Sequence, residues 1–240
     1  MEVSAKQKEA REHYQETLTF LGKKKKICFL TTSSRWEGEP SGNMAKSTLL
    51  AYELKHDLGD RVTLIDVAKL HIVQCEGNVS TNNGNVCGMA KAALHDDEKN
   101  PSGQHRCWAS LNNPNDELWK VSKVLLESDV VIFFASVRWG QTNGVYQKLI
   151  ERLTWLENRH STLGEDNIIK DIAAGIIVVG QNWRGKEVLE TQKHVLEYFG
   201  FDVRPELTWN WQYTDNLEDE RPETYIEGVK DFRKTFLHER

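Results

Sequence analysis

Residues 27–47 read ICFLTTSSRWEGEPSGNMAKS, and this stretch has the pattern of a strand, a loop and a helix in succession. Residues 27–30 form an apolar run typical of a buried strand, and helical periodicity begins near residue 43. Hydroxyl side chains and glycine lie between the strand and the helix. The hydroxyls, the backbone amides and the positive end of the following helix can face one anionic group without a lysine beside it. We therefore predict a loop that binds the phosphate of a nucleotide or a flavin.

The rest of the chain alternates between strand and helix patterns. Strands are predicted at 26–31, 61–66, 130–135, 172–180 and 203–209. Helices are predicted at 43–57, 116–127, 144–158, 185–199 and 222–238. This alternation predicts an α/β protein with a parallel sheet. The apolar strands at 130–135 and 172–180 are expected at its centre, buried on both faces.

The length of 240 residues and the hydrophobic content of 39% fit a single domain over residues 1–240 with added segments. Residues 1–24 are predicted to form an N-terminal helical extension that docks by its apolar C-terminal end. Residues 68–115 are an irregular insertion, too long for an ordinary connection. Residues 215–240 are expected to hold a C-terminal helix. The extension and the insertion are candidate arms for association with a partner.

Composition excludes several classes of protein. The net charge is -5 and charges of both signs are mixed along the chain, so we expect no nucleic-acid partner. No apolar stretch approaches the roughly 20 residues that span a bilayer, and the first residues are charged, so we expect a cytoplasmic protein without a membrane partner. The four cysteines are expected to be reduced. A mixed zinc site of Cys75, Cys87, Cys107 and nearby histidines is conceivable, but the spacing is irregular and we expect no metal.

Two further segments are expected to join the phosphate loop at the carboxyl ends of the strands, where open parallel sheets bind ligands. Residues 136–144 read SVRWGQTNG, and residues 180–185 read GQNWRG. Both offer a tryptophan, amides and glycines. Such a set suits a flat ring with polar edges, because Trp139 can stack on the ring while amides bond its rim. A flavin fits this description better than a sugar phosphate.

The three segments resemble those of flavodoxin-like NAD(P)H-dependent FMN reductases and quinone reductases, relatives of the iron–sulfur flavoproteins. Residues 32–35 and 41–43 are similar to the phosphate loop of that family. Residues 136–140, Gly144 and 148–152 are similar to its second flavin loop and helix, and 180–183 occupy its third-loop position. The tight cysteine cluster of the iron–sulfur branch is missing from the sequence. The resemblance covers about 26–210 and implies a flavodoxin-like doubly wound sheet of five parallel strands in the order 2-1-3-4-5, with helices on both faces.

The resemblance also implies a function. FMN would be the cofactor, NADPH or NADH the electron donor, and a flavin, quinone or other small molecule the acceptor. Association into a homodimer or homotetramer is implied as well. No catalytic side chain is expected, because the flavin performs the chemistry. The implied cofactor-binding residues are Ser33, Ser34, Arg35, Ser41, Asn43, Met44, Val137, Arg138, Trp139, Gly140, Asn143, Gln181, Asn182 and Trp183.

The sequence departs from the family at the second flavin loop, where Val137 and Arg138 stand in place of a frequent proline and tyrosine. Arg138 could tune the flavin, bind an acidic substrate or the phosphate of the nicotinamide cofactor, or form a plain surface ion pair. Two other functions stay open. One is a flavodoxin-type electron carrier that docks on redox partners without oxidising NAD(P)H, and the other is a nonredox phosphate-ligand module. The acidic stretch 215–220 is expected to be solvated and not catalytic.

Overall fold

The computed structural model describes residues 4–35, 44–78, 86–181 and 183–237. The strands are β1 (Ile27–Thr31), β2 (Val62–Asp66), β3 (Val130–Arg138), β4 (Gln141–Thr142), β5 (Ala173–Gly180), β6 (Asp202–Val203) and β7 (Trp209–Gln212). The helices are α1 (Ala5–Leu21), α2 (Lys46–Leu58), α3 (Trp108–Asn112), α4 (Leu118–Leu126), α5 (Gly144–Ser161), α6 (Gly185–Phe199) and α7 (Pro222–Phe236). In the described ranges, no helix has both the length and the apolar character needed to cross a membrane.

The strands form one sheet in the order β2-β1-β3-β5-β6, and β7 also pairs with β5. All these pairs are parallel, and only the short β4 runs antiparallel, beside the end of β3. The predicted α/β class with a doubly wound parallel sheet is confirmed. The predicted order 2-1-3-4-5 differs in detail from the observed order. Two short strands, β6 and β7, share the fifth position, and the short β4 is added beside β3.

The core lies on both faces of the sheet, because successive residues of β3 point to opposite sides. Val131, Phe133 and Ala135 pack with residues of α4, α5 and α6, whereas Val130, Ile132 and Phe134 pack with residues of α1, α2 and α7. Every residue of β1 and β5 is buried. The buried sheet therefore fixes the positions of the carboxyl ends of its strands and of the loops that follow them.

The fifth position of the sheet is broken in two. A continuous strand over 203–209 is wrong, because a 3₁₀ helix at Pro205–Leu207 separates β6 from β7. Gly175 of β5 explains the break: a Cβ at this position would overlap the carbonyl oxygen and the Cβ of Leu207. Because Gly175 has no side chain, the 3₁₀ helix can pack closely against β5 before strand pairing resumes at Trp209.

The N-terminal helix α1 docks along its whole length, and not only at its C-terminal end. Its buried residues recur at intervals of three and four, which is one face of a helix: Gln7, Ala10, Tyr14, Thr17 and Leu21. The buried polar side chains all have partners. Gln7 donates to Asp231 of α7 at 2.6 Å, Tyr14 donates to Asp57 of α2 at 2.8 Å, and Thr17 donates to the carbonyl of Glu206 at 2.7 Å.

A buried ion pair between Arg152 of α5 and Asp116, the residue after the insertion at 68–115, holds the insertion against α5. The side chains of Arg152 and Asp116 are both 0% exposed, and two hydrogen bonds of 2.8 and 2.9 Å join them. Arg152 also donates to the carbonyl of Val73 at 2.7 Å and to Ser110 at 3.0 Å. Asp116 accepts from the Val73 amide at 3.0 Å and from Ser110 at 2.6 Å. The insertion therefore folds around a charged pair that is fully hydrogen-bonded on its carboxylate side.

The substitution Asp116→Ala should lower the free energy of unfolding by about 3–5 kcal/mol, because it leaves the Arg152 guanidinium buried without its counter-charge. Urea denaturation of both proteins measures the difference. The matched control is Glu190→Ala, which removes an exposed partner 4.0 Å from Lys193 and should cost less than about 1 kcal/mol. An equal loss in the two variants would contradict the role given to the buried pair.

Candidate functional site

A cavity of about 440 Å³ opens at the carboxyl ends of β3 and β5, beside the start of α2. Its walls contain half of the residues that the sequence predicted for the site, from all three predicted segments. These are Arg35, Val137, Arg138, Trp139, Gly140, Gln181 and Trp183. The fold thus brings the three segments together, as the position of strand ends in a parallel sheet requires.

The other predicted residues divide into two groups. Ser41, Asn43 and Asn182 lie outside the described residues. Ser33, Ser34, Met44 and Asn143 are described but are not part of the cavity wall. The hydroxyl of Ser33 accepts a hydrogen bond of 3.4 Å from the amide of Arg35, so it shapes the turn that carries that arginine.

Asn143 is buried below the cavity and joins the ends of two strands. Its Nδ2 donates to the carbonyl of Thr32 at 2.6 Å, and its Oδ1 accepts from the amide of Ser136 at 3.1 Å and from the hydroxyl of Thr32 at 3.2 Å. The Thr32 hydroxyl has one proton, which it shares between the Asn143 Oδ1 and the carbonyl of Phe134, the latter at 2.8 Å. Both the oxygen and the nitrogen of the Asn143 amide are therefore used to hold the loop after β1 and the end of β3 in place.

Trp139 stands at the rim of the cavity on a tight hairpin turn between β3 and β4. The φ angles of Trp139 and Gly140 are 51° and 70°, and positive values at both central residues are what a type I′ turn requires. A positive φ is costly for a bulky residue other than glycine. The Trp139 side chain is nevertheless 97% exposed, so no packing in the described structure explains why an indole occupies this position. Strain of this kind is found at functional sites.

Trp183 and Arg184 pack against the same turn from the β5 side. The Arg184 guanidinium lies over the Trp183 ring at 5.3 Å, and Arg184 also has a positive φ of 70°. A Cβ at Gly140 would approach the Arg184 Cδ to 2.9 Å, so the missing side chain permits close contact between the two loops. The second and third predicted segments are therefore in direct contact.

Lys46 is the main residue that the sequence analysis missed, since the loop was expected to work without a lysine. It is half-buried in the cavity wall, its Nζ donates to the Gln181 Oε1 at 2.8 Å, and it lies 5.4 Å from the centre of the Trp211 ring. Burial, and to a smaller extent the positive charges of Arg35 and Arg138, lowers the pKa of the Lys46 ammonium to about 8. A signal was present, because a lysine in the first turn of a helix opposes the helix dipole.

The start of α2 completes a positive region. The N-cap residue is Ala45, which offers no side chain to the first amides of the helix. In the described part of the chain, Arg35 and Arg138 have no carboxylate partner. Uncapped amides and unpaired cations in one cavity are suited to a phosphate or another anion. Among the described residues, no cluster of three or more His, Cys, Asp or Glu side chains could hold a metal ion.

The C-terminal segment also contributes to the cavity, which the sequence did not indicate. Gln181 bridges Lys46 and α7, because its Nε2 donates to the carbonyl of Thr224 at 2.6 Å. Gly228 allows this contact, since a Cβ there would overlap the Gln181 side chain. Glu220, expected to be solvated, is half-buried and lines the cavity with Leu217 and Tyr225. Nothing in the acidic stretch 215–220 distinguishes this carboxylate from its neighbours.

The chain is similar in fold to solved structures whose sequences are less than 20% identical to it. RosB with the bound intermediate 8-demethyl-8-formylriboflavin-5'-phosphate is similar with a TM-score of 0.55 and 16% identity, covering 88% of this chain and 72% of that one. An azoreductase from Bacillus anthracis str. Sterne has a TM-score of 0.50 and 14% identity, covering 88% and 96%. No protein-family model and no curated protein matches the sequence. The predicted flavodoxin-like fold is confirmed by these likenesses.

The affinity of the cavity for a phosphate-bearing ligand, with FMN as the probe, should fall as the pH rises from 7 to 9.5. Lys46 is charged below its pKa of about 8 and neutral above it, so the attraction for a bound phosphate is lost as the pH passes through that value. The fall should approach tenfold per pH unit at most. Lys46→Met should weaken binding at pH 7 and abolish this dependence, as measured by fluorescence titration.

The control for this titration is Lys170→Met, which removes an exposed lysine outside the cavity and should leave the pH profile unchanged. A wild-type profile that is flat between pH 7 and 9.5 would show that Lys46 does not face the phosphate.

Proposed function

We propose that this protein is an FMN-binding oxidoreductase that transfers reducing equivalents from NADPH or NADH to a flavin, a quinone or another small acceptor. The observation that carries the proposal is Trp139, an exposed indole on a strained turn at the rim of a cavity with three cationic side chains. An aromatic face and an anion site in one cavity match the two halves of FMN. Both lie at the strand ends, where open parallel sheets bind ligands, and this position supports the proposal.

The phosphate of FMN is assigned to the start of α2. Arg35 and Lys46 supply positive charge there, and the uncapped amides of the helix supply donors. To these we add, as the sequence suggested, Ser33, Ser34, Ser41, Asn43 and Met44. The ring is assigned to Val137, Arg138, Trp139 and Gly140 on one side and to Gln181, Asn182 and Trp183 on the other. Asn143 is assigned a positioning role beneath them.

The overall reaction would be NAD(P)H + H⁺ + acceptor → NAD(P)⁺ + the acceptor reduced by two electrons and two protons. FMN, when bound, supplies the hydride and electron chemistry. The chain binds and orients the partners. Trp139 provides a flat wall for the ring, and Arg138, the residue before it on the hairpin, provides a positive charge that favours negative charge on the ring. The open rim beside Trp139 leaves access for donor and acceptor.

We also propose that the active form is a homodimer or a homotetramer. The α7 helix exposes Ile226 at 63% and Val229 at 40%, next to the half-exposed Tyr225. Neighbouring apolar side chains on one exposed helix are typical of a surface that packs against another protein. The proposed small-molecule acceptors need no macromolecular partner.

The proposal is tested first by visible absorption of the purified protein with added FMN. The flavin band should shift on binding and bleach when NADPH or NADH is added without oxygen, and a quinone should then restore it. A bound flavin that nicotinamides cannot bleach would support the electron carrier instead. A protein that binds no FMN would support the nonredox module.

The substitution Trp139→Gly should raise the free energy of unfolding and lower the affinity for FMN. Glycine adopts a positive φ without strain, so the free energy of unfolding should rise by about 1 kcal/mol. Loss of the stacking surface should weaken FMN binding by about tenfold or more. Denaturation and fluorescence titration measure the two effects. Trp139→Tyr keeps an aromatic face and should retain most of the affinity, whereas unchanged affinity in Trp139→Gly would remove the indole from the site.

A further inference from the structure

The outer wall of the cavity comes from the segment between β7 and the second turn of α7. Leu217, Glu220 and Tyr225 line it, facing the same space as the strand ends. The segment is held in place by Gln181, whose carbonyl accepts from the amide of Thr214 at 3.0 Å and from its hydroxyl at 3.1 Å. The bond from Gln181 to the Thr224 carbonyl secures the other end. This wall is therefore an anchored part of the site.

Glu220 contributes to this wall a carboxylate of which, in the described part of the chain, one oxygen accepts a hydrogen bond and the other does not. Its Oε2 accepts a hydrogen bond of 3.0 Å from the hydroxyl of Tyr225. Its Oε1 is buried and has no hydrogen-bond partner among the described residues. Buried polar atoms are nearly always paired with protein, water or ligand. Glu220 therefore brings to the cavity wall a carboxylate whose acceptor capacity is only partly used, and a ligand with an N–H or O–H donor is its chemical complement.

The positive charges of the cavity do not neutralise this carboxylate. Arg35, Lys46 and Arg138 line the same cavity, yet Glu220 forms no ion pair with any residue in the described ranges. The side chain of Lys46 is instead occupied by Gln181. The cavity thus has a cationic part near α2 and a separate anionic part at the C-terminal wall. Its ligands are expected to match both.

We propose that Leu217, Glu220 and Tyr225 form the acceptor subsite, and that it selects flat aromatic acceptors carrying an amino or ammonium group. This inference rests on the proposed function, since FMN would occupy the cationic part and leave the anionic wall to the acceptor. Tyr225 and Leu217 offer apolar contact to a ring, and Glu220 accepts the N–H group. Acceptors with a sulfonate or carboxylate in that place are repelled by Glu220.

The first test compares three acceptors with wild type and Glu220→Gln: 2-amino-1,4-naphthoquinone, 1,4-naphthoquinone and 1,4-naphthoquinone-2-sulfonate. Each takes two electrons and two protons from NAD(P)H and H⁺ to give its hydroquinone. The ratio of kcat/KM for the amino compound to that for the sulfonate should fall about tenfold in the variant, because the negative charge is removed. Comparing ratios cancels the different potentials of the acceptors.

The matched control is Glu218→Gln, which removes an equal charge two residues away on an exposed side chain outside this cavity. The ratio should not change in this variant. An equal fall in both variants would assign the effect to general surface charge and overturn the inference. An unchanged ratio in Glu220→Gln would overturn it as well, while leaving the reduction of quinones by NAD(P)H intact.

The second test measures binding without turnover. Tryptophan fluorescence of the flavin-free protein is titrated with 1-naphthylmethylammonium and with naphthalene-1-sulfonate. Glu220→Gln should weaken the ammonium compound about fivefold or more and should not weaken the sulfonate. If no acceptor is reduced but this pattern holds, the proposed oxidoreductase fails and the aromatic-amine subsite stands. If neither ligand distinguishes the variant from wild type, the subsite is overturned whatever the enzyme does.

Discussion

The side chain of Asn143 joins the carboxyl ends of β1 and β3, and the geometry of the site depends on that junction. Its Nδ2 donates to the carbonyl of Thr32, the residue after β1, and its Oδ1 accepts from the amide of Ser136, the first polar residue of β3. Two adjacent parallel strands lose their mutual hydrogen bonds where their loops diverge. Asn143 replaces those bonds at the point of divergence. The turn toward Arg35 and the hairpin that carries Trp139 therefore leave the sheet from a fixed common base.

The fold was readable from the sequence wherever one face or both faces of an element are apolar. The strands near 130–135 and 172–180 and the helix at 185–199 were located correctly because their hydrophobic patterns are unambiguous. The fifth strand was not, since its interruption depends on contact between Gly175 and Leu207, which are distant in sequence. The docking face of α1 was also obscured, because Gln7 and Thr17 on that face are polar and become buried only with partners from elsewhere in the chain.

The site was readable where it follows directly from strand ends. Arg35, the hairpin at 137–140, Gln181 and Trp183 meet in one cavity because parallel strands end at one edge. Glu220 and Tyr225 could not be found in this way, since the segment that carries them reaches the cavity only because α7 packs beside α1 and α2 on one face of the sheet. Lys46 was hidden among ordinary helix residues, and its role is visible only once Arg35, Arg138 and Gln181 surround it. Pairwise contacts between distant segments carry no local sequence signal.

The break in the fifth strand also limits how the edge of the sheet can pair with strands of other molecules. An open edge strand presents unpaired amides and carbonyls, and a long flat edge recruits strands from other molecules and leads to aggregation. Here that edge consists of β6, with two residues, and β7, with four, separated by the 3₁₀ turn over Gly175. Neither piece is long enough to template a stable foreign strand. A single missing Cβ in β5 thus helps to keep this edge of the sheet from pairing with strands of other molecules.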